Sequence, residues 1–489
     1  MLKRVLQFIG LILLVTILVL LWNTFSNKSI QPQGEAMQAL QINGDTATNH
    51  LSKAIQYRTI SDAAYYDEIA FTSFQAFLKE AFPDVFNNFE AINMGNHSLL
   101  LKWNGSNQNL KPVLFLGHID VVPVEEVSRD LWQEDPFKGL IKGGFVWGRG
   151  AIDDKSTVIG LLEAATALIE QGFEPARSVY FAFGEDEEVG GINGAMKMAK
   201  YFRDQNISFE AIADEGTFLT KNIVPGISEK PVALIGISEK GYLSVELSCN
   251  LEGGHSSMPA TETAVSVIAK AVTDLNNNPF PNRICGPVKG FIEYMGPEMP
   301  FAQKLAFSNA SLLEQLIFNA YSKTGSGSAM IHTTMATTIL EGGIKDNVIP
   351  GQAKATINMR ILSGETIETS IAHLKKTIGD DRVEIKIIDG AANPSAVSNY
   401  ESEAFASLGM AVKDVYPDAL ITPFLMLGAT DSRHYEGLSE NIYKFMPVLF
   451  ESEDLARFHG VNERISIENY KKAIQIYGQC IVRWCGKTQ

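Results

Sequence analysis

The sequence predicts an α/β protein: a three-layer α/β/α domain on a mainly parallel sheet, interrupted by a smaller inserted α+β domain. Three observations predict it. Short, continuously apolar runs such as 112–117 and 179–183 alternate with stretches of helical spacing, as parallel strands buried on both faces alternate with their crossover helices. Beyond about Lys240 the texture changes to strict alternation, as in Leu243, Val245 and Leu247, which suits an antiparallel sheet covered on one face. After about Asp389 continuous apolar runs return, as in 424–427, which stops at Gly428, so the second domain is an insertion into the first.

Taken in order, Lys3 and Arg4 precede an apolar run over 5–22 interrupted only by the polar Gln7 and Thr16. At about 18 residues the run reaches the lower limit for a membrane-spanning helix. Bulky Leu20, Leu21 and Trp22 end it where a cleaved signal peptide has small residues, which favours an uncleaved anchor over 1–22. The positive-inside rule keeps the basic end in the cytoplasm and places the remainder in a periplasm or lumen. Residues 23–48 are polar and without periodicity and read as a tether.

The first part of the larger domain then covers 49–240. Leu51, Ala54 and Ile55, and later Phe71, Phe74, Phe77 and Leu78, recur at helical spacing. A buried strand over 112–117 ends at His118, a helix over 156–169 stops before Gly172, and a strand over 179–183 precedes a helix through Ala195 and Met198. The inserted domain, 241–389, reads as a strand, a helix over 262–275, a strand over 353–361, a helix over 365–378 and a strand over 383–387. Residues 390–489 complete the first domain and close with a helix over 467–484.

Bulk properties exclude several classes. A chain of 489 residues with 45% apolar and 20% charged residues can bury a large core unaided. Its formal charge of -15, with no basic stripe, argues against a nucleic-acid partner. The four cysteines lack metal-knuckle spacing, and Cys480 and Cys485, five apart, do not share a helix face. A serine hydrolase is disfavoured because no Gly-x-Ser-x-Gly elbow is present.

Three clusters sit where strands end, at the sheet edge that usually carries chemistry: Gly117-His118-Ile119-Asp120, Gly148-Arg149-Gly150-Ala151-Ile152-Asp153-Asp154-Lys155, and Gly184-Glu185-Asp186-Glu187-Glu188-Val189-Gly190. His118 and Asp120, two apart, project from the same side of a strand, so one can bind a metal while the other fixes the ring tautomer. Alone, a His-x-Asp is more often a surface or packing feature, and an Asp in a Gly-rich loop is usually turn chemistry. Four acidic groups directly after a buried strand repel one another unless cations or donors are present, although acids also favour a solvated helix start. Together, imidazole, a turn carboxylate and paired glutamates are the donor set of a two-metal hydrolase, with one carboxylate spare as base.

These blocks resemble the aminoacylase and carboxypeptidase S family of two-zinc metallopeptidases. The resemblance continues through Asp214-Glu215-Gly216, Ser238-Glu239-Lys240-Gly241, Gly254-His255-Ser256-Ser257, Asn347-Val348-Ile349-Pro350, Thr430-Asp431-Ser432-Arg433 and His459-Gly460-Val461-Asn462-Glu463, in order and over nearly everything after the tether. Within the family it looks closest to carboxypeptidase S and the secreted N-fatty-acyl-amino-acid synthase/hydrolase. It implies a zinc-peptidase catalytic domain with an inserted lid of the dimerisation type, and two zinc ions per chain. Asp153 would bridge the ions and precede a cis peptide to Asp154. His118 and an acid from Asp214-Glu215, taken here as Asp214, would complete one zinc site, and Glu188 and His459 the other. Glu187 would be the general base and Asp120 would orient His118. His255 would stabilise the oxyanion, reaching it in dimeric members from the partner subunit; whether this chain is a homodimer is not legible. Asn347, Arg360 and Arg433 would hold the substrate's free carboxylate. Crossings at about Lys240 and Asp389 suggest hinge closure of the lid.

The function expected is therefore hydrolysis of an amide beside a free carboxylate, in N-acyl amino acids, including N-fatty-acyl ones and in reverse as condensation, or in short peptides. A catalytically silent, membrane-anchored binding or scaffold relative is the alternative.

Overall fold

A computed structural model describes residues 1–62, 65–95 and 97–486. The chain opens with helix α1 (Leu2–Ser26) and, after irregular backbone, α2 (Gly44–Ile55). Strands β1 (Phe89–Asn93), β2 (Leu99–Trp103) and β3 (Val113–His118) lead to α3 (Lys155–Glu170), β4 (Val179–Gly184), α4 (Ala195–Asp204), β5 (Ala211–Thr220) and β6 (Val232–Glu239). The inserted part runs through β7 (Gly241–Asn250), α5 (Ala264–Asn277), α6 (Gly286–Met295), α7 (Phe301–Ser308), α8 (Ala310–Tyr321), β8 (Thr334–Gly342), β9 (Gln352–Ile361), α9 (Ile367–Ile378) and β10 (Val383–Ile387). The chain returns with α10 (Glu403–Val415), β11 (Leu420–Met426), β12 (Ile442–Phe450) and the closing α11 (Ile467–Cys485).

The large sheet has the order β11-β6-β12-β5-β3-β4-β2-β1. Its centre, β12-β5-β3-β4, is parallel, and β3 and β4 are buried along their whole length, as their apolar sequences require. The sheet is mixed: β11 also pairs parallel with β6, but β2 runs antiparallel to both β4 and β1, and β6 runs antiparallel to β12. The connection from β1 to β2 is too short for the dozen or so residues that a parallel crossover needs. Helix α3 is buried over most of its length and packs against α11, with Tyr477 close to Gly160.

The small sheet, β8-β9-β7-β10, is antiparallel throughout. Along β9, Ala353, Ala355, Ile357, Met359 and Ile361 are buried and form a core with residues of β7, α5 and α9, which is the period-2 pattern read from the sequence. Helices α6 to α8 are not part of that core. Val288 and Ile292 pack on Leu425, and Phe291 meets Phe424 edge-on, so α6 covers the edge strand of the large sheet.

Residues 27–43, within the span read as a free tether, are laid along the body. The Gln31 side-chain amide accepts from the Ile421 N–H at 2.7 Å and donates to the Ile421 carbonyl at 2.9 Å, standing in for a missing strand beside β11. Arg483 reaches the Glu35 carbonyl and Gln479 the Gln38 carbonyl. Such docking by single polar side chains leaves no periodic trace. The four cysteines are buried and unpaired.

Candidate metal centre and active site

Strand register brings the first and third clusters together, because β3 and β4 are parallel with His118 opposite Gly184. His118 is buried, with Nε2 3.0 Å from Asp153 Oδ1 and Nδ1 3.3 Å from Asp120 Oδ1. The Asp120 carboxylate also accepts the backbone N–H groups of Glu187 and Glu188, both at 3.2 Å. One carboxylate thus orients the imidazole and pins the glutamate turn. The second cluster turns back beneath them. Gly150 has φ +86°, a conformation that favours glycine, and the Asp153–Asp154 peptide is cis.

Two donor groups converge on Asp153. His118, Asp153 and Glu215 form one, and Asp153, Glu188 and His459 the other, each with its ligand atoms within 4.8 Å of one another. His459 Nε2 lies 3.1 Å from Asp153 Oδ2 and 3.2 Å from Glu188 Oε2. The structure places Glu215, not Asp214, in the first group. Neighbouring residues on a strand point to opposite sides, so only one of this pair can face the site. Asp214 is turned to the Thr430–Arg433 turn, accepting from the Ser432 N–H at 2.7 Å. It also accepts from the Glu215 N–H at 2.9 Å.

The electrostatics ask for positive charge. Burial, and then Asp153, Asp154, Glu187 and Asp214, push the Glu215 carboxyl well above the usual range. Burial also raises Glu187, with His118 opposing and Asp431, Glu188 and Asp120 adding to the rise. Glu188 Oε1 is buried without a hydrogen-bond partner. Imidazole and carboxylate donors around an orphaned carboxylate oxygen fit divalent cations of the zinc type.

One residue that sequence reasoning quoted but gave no role holds the loop in place. Glu463, fully buried, accepts from the backbone N–H groups of Gly150, Ile152 and Asp153 at 3.0, 2.8 and 3.2 Å. Its other oxygen is 2.6 Å from Arg149 Nη1, while Arg149 Nη2 donates to the His459 carbonyl at 3.1 Å. The far end of the chain therefore fixes both Asp153 and His459. The only sequence signal was the placement of Glu463 four residues after His459, in the last motif block. Glu239 likewise holds the Thr430 turn through both Thr430 and Ser432 hydroxyls.

The remaining expected residues lie elsewhere. Arg433 donates to the Gly190 carbonyl at 3.2 Å, beside the glutamate turn. His255 is exposed and hydrogen-bonds Ser257, in a two-stranded ribbon with Val348–Ile349. The Asn347 carbonyl accepts from Ser256 in the same ribbon, so His255 and Asn347 are neighbours. Arg360, on β9, stacks over Tyr242 at 4.9 Å. None of these four joins the two donor groups.

Comparison with known proteins agrees with this chemistry. The sequence profile of "Peptidase family M20/M25/M40" matches residues 114–483. "Probable carboxypeptidase S-like 2" of Dictyostelium discoideum is 40% identical over 478 residues, covering 95% of this chain and 91% of that protein. "N-fatty-acyl-amino acid synthase/hydrolase PM20D1.1" of Danio rerio is 34% identical over 497 residues, covering 98% and 96%. Among solved structures, the M20 family metallo-carboxypeptidase Sso-CP2 from Sulfolobus solfataricus superposes with a TM-score of 0.65 at 19% identity, over 89% of this chain and 98% of that one. By sequence, by fold and by the donors it gathers, the chain belongs to peptidase family M20/M25/M40 and is a metal-dependent amide hydrolase.

Proposed function

We propose that the protein hydrolyses an amide bond adjacent to a free carboxylate, in N-acyl amino acids or short peptides, with two zinc ions. The observation that carries this reading is the sharing of Asp153 between two donor groups, with Glu187 on the turn beside them. His118 and Glu215 would hold one ion and Glu188 and His459 the other, Asp153 bridging both. Two such cations, when bound, polarise the amide carbonyl and make water nucleophilic near neutral pH.

The chain's own residues do the rest. Glu187 takes a proton from the attacking water and passes it to the leaving amine. Asp120 holds both His118 and the Glu187 turn in register. Closure of the inserted domain, or a second copy of the chain in a homodimer, carries His255 to the developing oxyanion. Asn347, Arg360 and Arg433 receive the substrate carboxylate, for which a guanidinium fork is suited. Relatives named for peptide and for N-fatty-acyl amino acid chemistry both cover nearly all of this chain, so both substrate classes belong to the reading. Helix α1 is the membrane anchor, exposed from Leu2 to Val19 and largely apolar there, with the catalytic part on the extracytoplasmic side.

The test is purified, zinc-loaded protein incubated with a panel of N-acyl amino acids and dipeptides and read by mass spectrometry. Release of free amino acid from one class, falling at least about 100-fold in E187Q, supports the proposal. A protein that holds zinc yet cleaves nothing in the panel overturns it in favour of a binding role.

A further inference from the structure

We propose that the exposed side of α7 and α8, with the last turns of α1, rests on the outer surface of the bilayer that α1 crosses. This rests on the reading of α1 as an anchor. The junction between α1 and the body is built, not loose. Asn309, 2% exposed, donates from Nδ2 to the Leu20 carbonyl at 3.1 Å and accepts at Oδ1 from Asn23 at 2.9 Å. Asn27 donates to the Ser308 hydroxyl at 2.9 Å, and the Phe25 ring meets Phe301 at 6.2 Å. Thr24 is fully buried in the same contact. Swinging the body away from α1 would strip buried amides of their partners, so the helix sets the body's height and tilt.

Helical rise then fixes the level. The apolar run over 5–22 is about 27 Å long at about 1.5 Å per residue, close to the thickness of about 30 Å of a hydrocarbon core. Leu20 therefore lies at the outer boundary and exposed Trp22 at headgroup depth, where aromatic side chains concentrate. Asn309 touches Leu20, which puts the end of α7 and the start of α8 at that boundary. From there Leu312 and Leu316 of α8, on either side of a kink at Leu313, are 62% and 58% exposed, and Phe301 is 55% exposed. On the opposite face Ile317 and Phe318 are buried in the body. The outer side of α8 thus carries exposed leucines among the polar Glu314, Gln315 and Asn319, and such an amphipathic surface, fixed at the level of the lipid boundary, has the bilayer interface as its occupant.

The experiment uses the full chain in phosphatidylcholine nanodiscs with a nitroxide at L316C or, as a second exposed reporter on α8, L312C. L13C marks the centre of α1 and I344C a fully exposed loop position in the inserted part. The four native cysteines are buried and resist labelling. Collision with oxygen, which partitions into lipid, is compared with collision with a water-soluble nickel chelate. Labels at Leu13, Leu312 and Leu316 are expected to favour oxygen and the Ile344 label to favour nickel. If the α8 labels match Ile344 while the Leu13 label stays lipid-like, the surface contact is overturned and the anchor stands. A water-like Leu13 label overturns the anchor reading itself. Dipolar broadening between α8 labels, with neither probe reaching them, would make a second copy of the chain the occupant and likewise overturn the proposal.

Discussion

Replacing Glu463 by alanine tests whether the far end of the chain builds the metal loop. Its carboxylate is fully buried, as is nearly all of the Arg149 side chain it pairs with. Removing one partner of a buried ion pair costs about 3–5 kcal/mol, and each buried N–H left without an acceptor costs about 1 kcal/mol or more. Three N–H groups, of Gly150, Ile152 and Asp153, lose that acceptor, so E463A is expected to lose about 4–6 kcal/mol of stability once partial relaxation is included. Because the loop carries Asp153, zinc affinity should also fall, by about 10- to 100-fold as for other residues that orient a ligand. The double variant R149M/E463M separates the two effects. Well-packed apolar residues can replace a buried pair without loss of stability, but they cannot accept the loop N–H groups, so the double variant should unfold later than E463A and still bind zinc weakly. Denaturant unfolding and chelator competition read both quantities. Wild-type zinc affinity in both variants would refute the claim that Glu463 positions the loop.

Four further outcomes follow from the same geometry. E187Q should retain its zinc while turnover falls by about 10²- to 10⁴-fold, the range for loss of a positioned acid–base group. E215Q and H459A should each lower zinc below two per chain by elemental analysis, whereas D214N should keep both ions. Q31A leaves the Ile421 N–H and carbonyl at the β11 edge unpaired, which costs about 1–3 kcal/mol and should appear as a lower unfolding midpoint and faster proteolysis within residues 27–43. Lys240, whose pKa is pushed down to about 8 chiefly by burial, binds its proton less readily folded than unfolded. The unfolded chain therefore holds more protons between pH 8 and 10.5, and wild type should gain stability relative to K240M across that window and show no such gain below it.

The parts of the fold that were legible are those in which composition alone carries the pattern. Buried parallel strands such as Val113–His118 and Val179–Gly184 must be apolar at every position, and alternating Gln352–Ile361 must be apolar at every second one. The three clusters were visible because they interrupt such runs with charge. The choice between Asp214 and Glu215 was not legible, since it depends on which face of β5 turns inward, and the register shifts just beyond Asp214. Glu463 was invisible as a clamp because its partners lie more than 300 residues away and are mostly backbone N–H groups, which carry no sequence signature. The docking of 27–43 was missed for a related reason: one glutamine amide does the work of a strand.

The most direct test of the shared-carboxylate centre is a crystal structure of the zinc-loaded protein with anomalous data collected at the zinc edge. Two peaks are predicted, one held by His118 and Glu215 and the other by Glu188 and His459, with Asp153 between them. A single peak, or Asp214 in the place of Glu215, would contradict it.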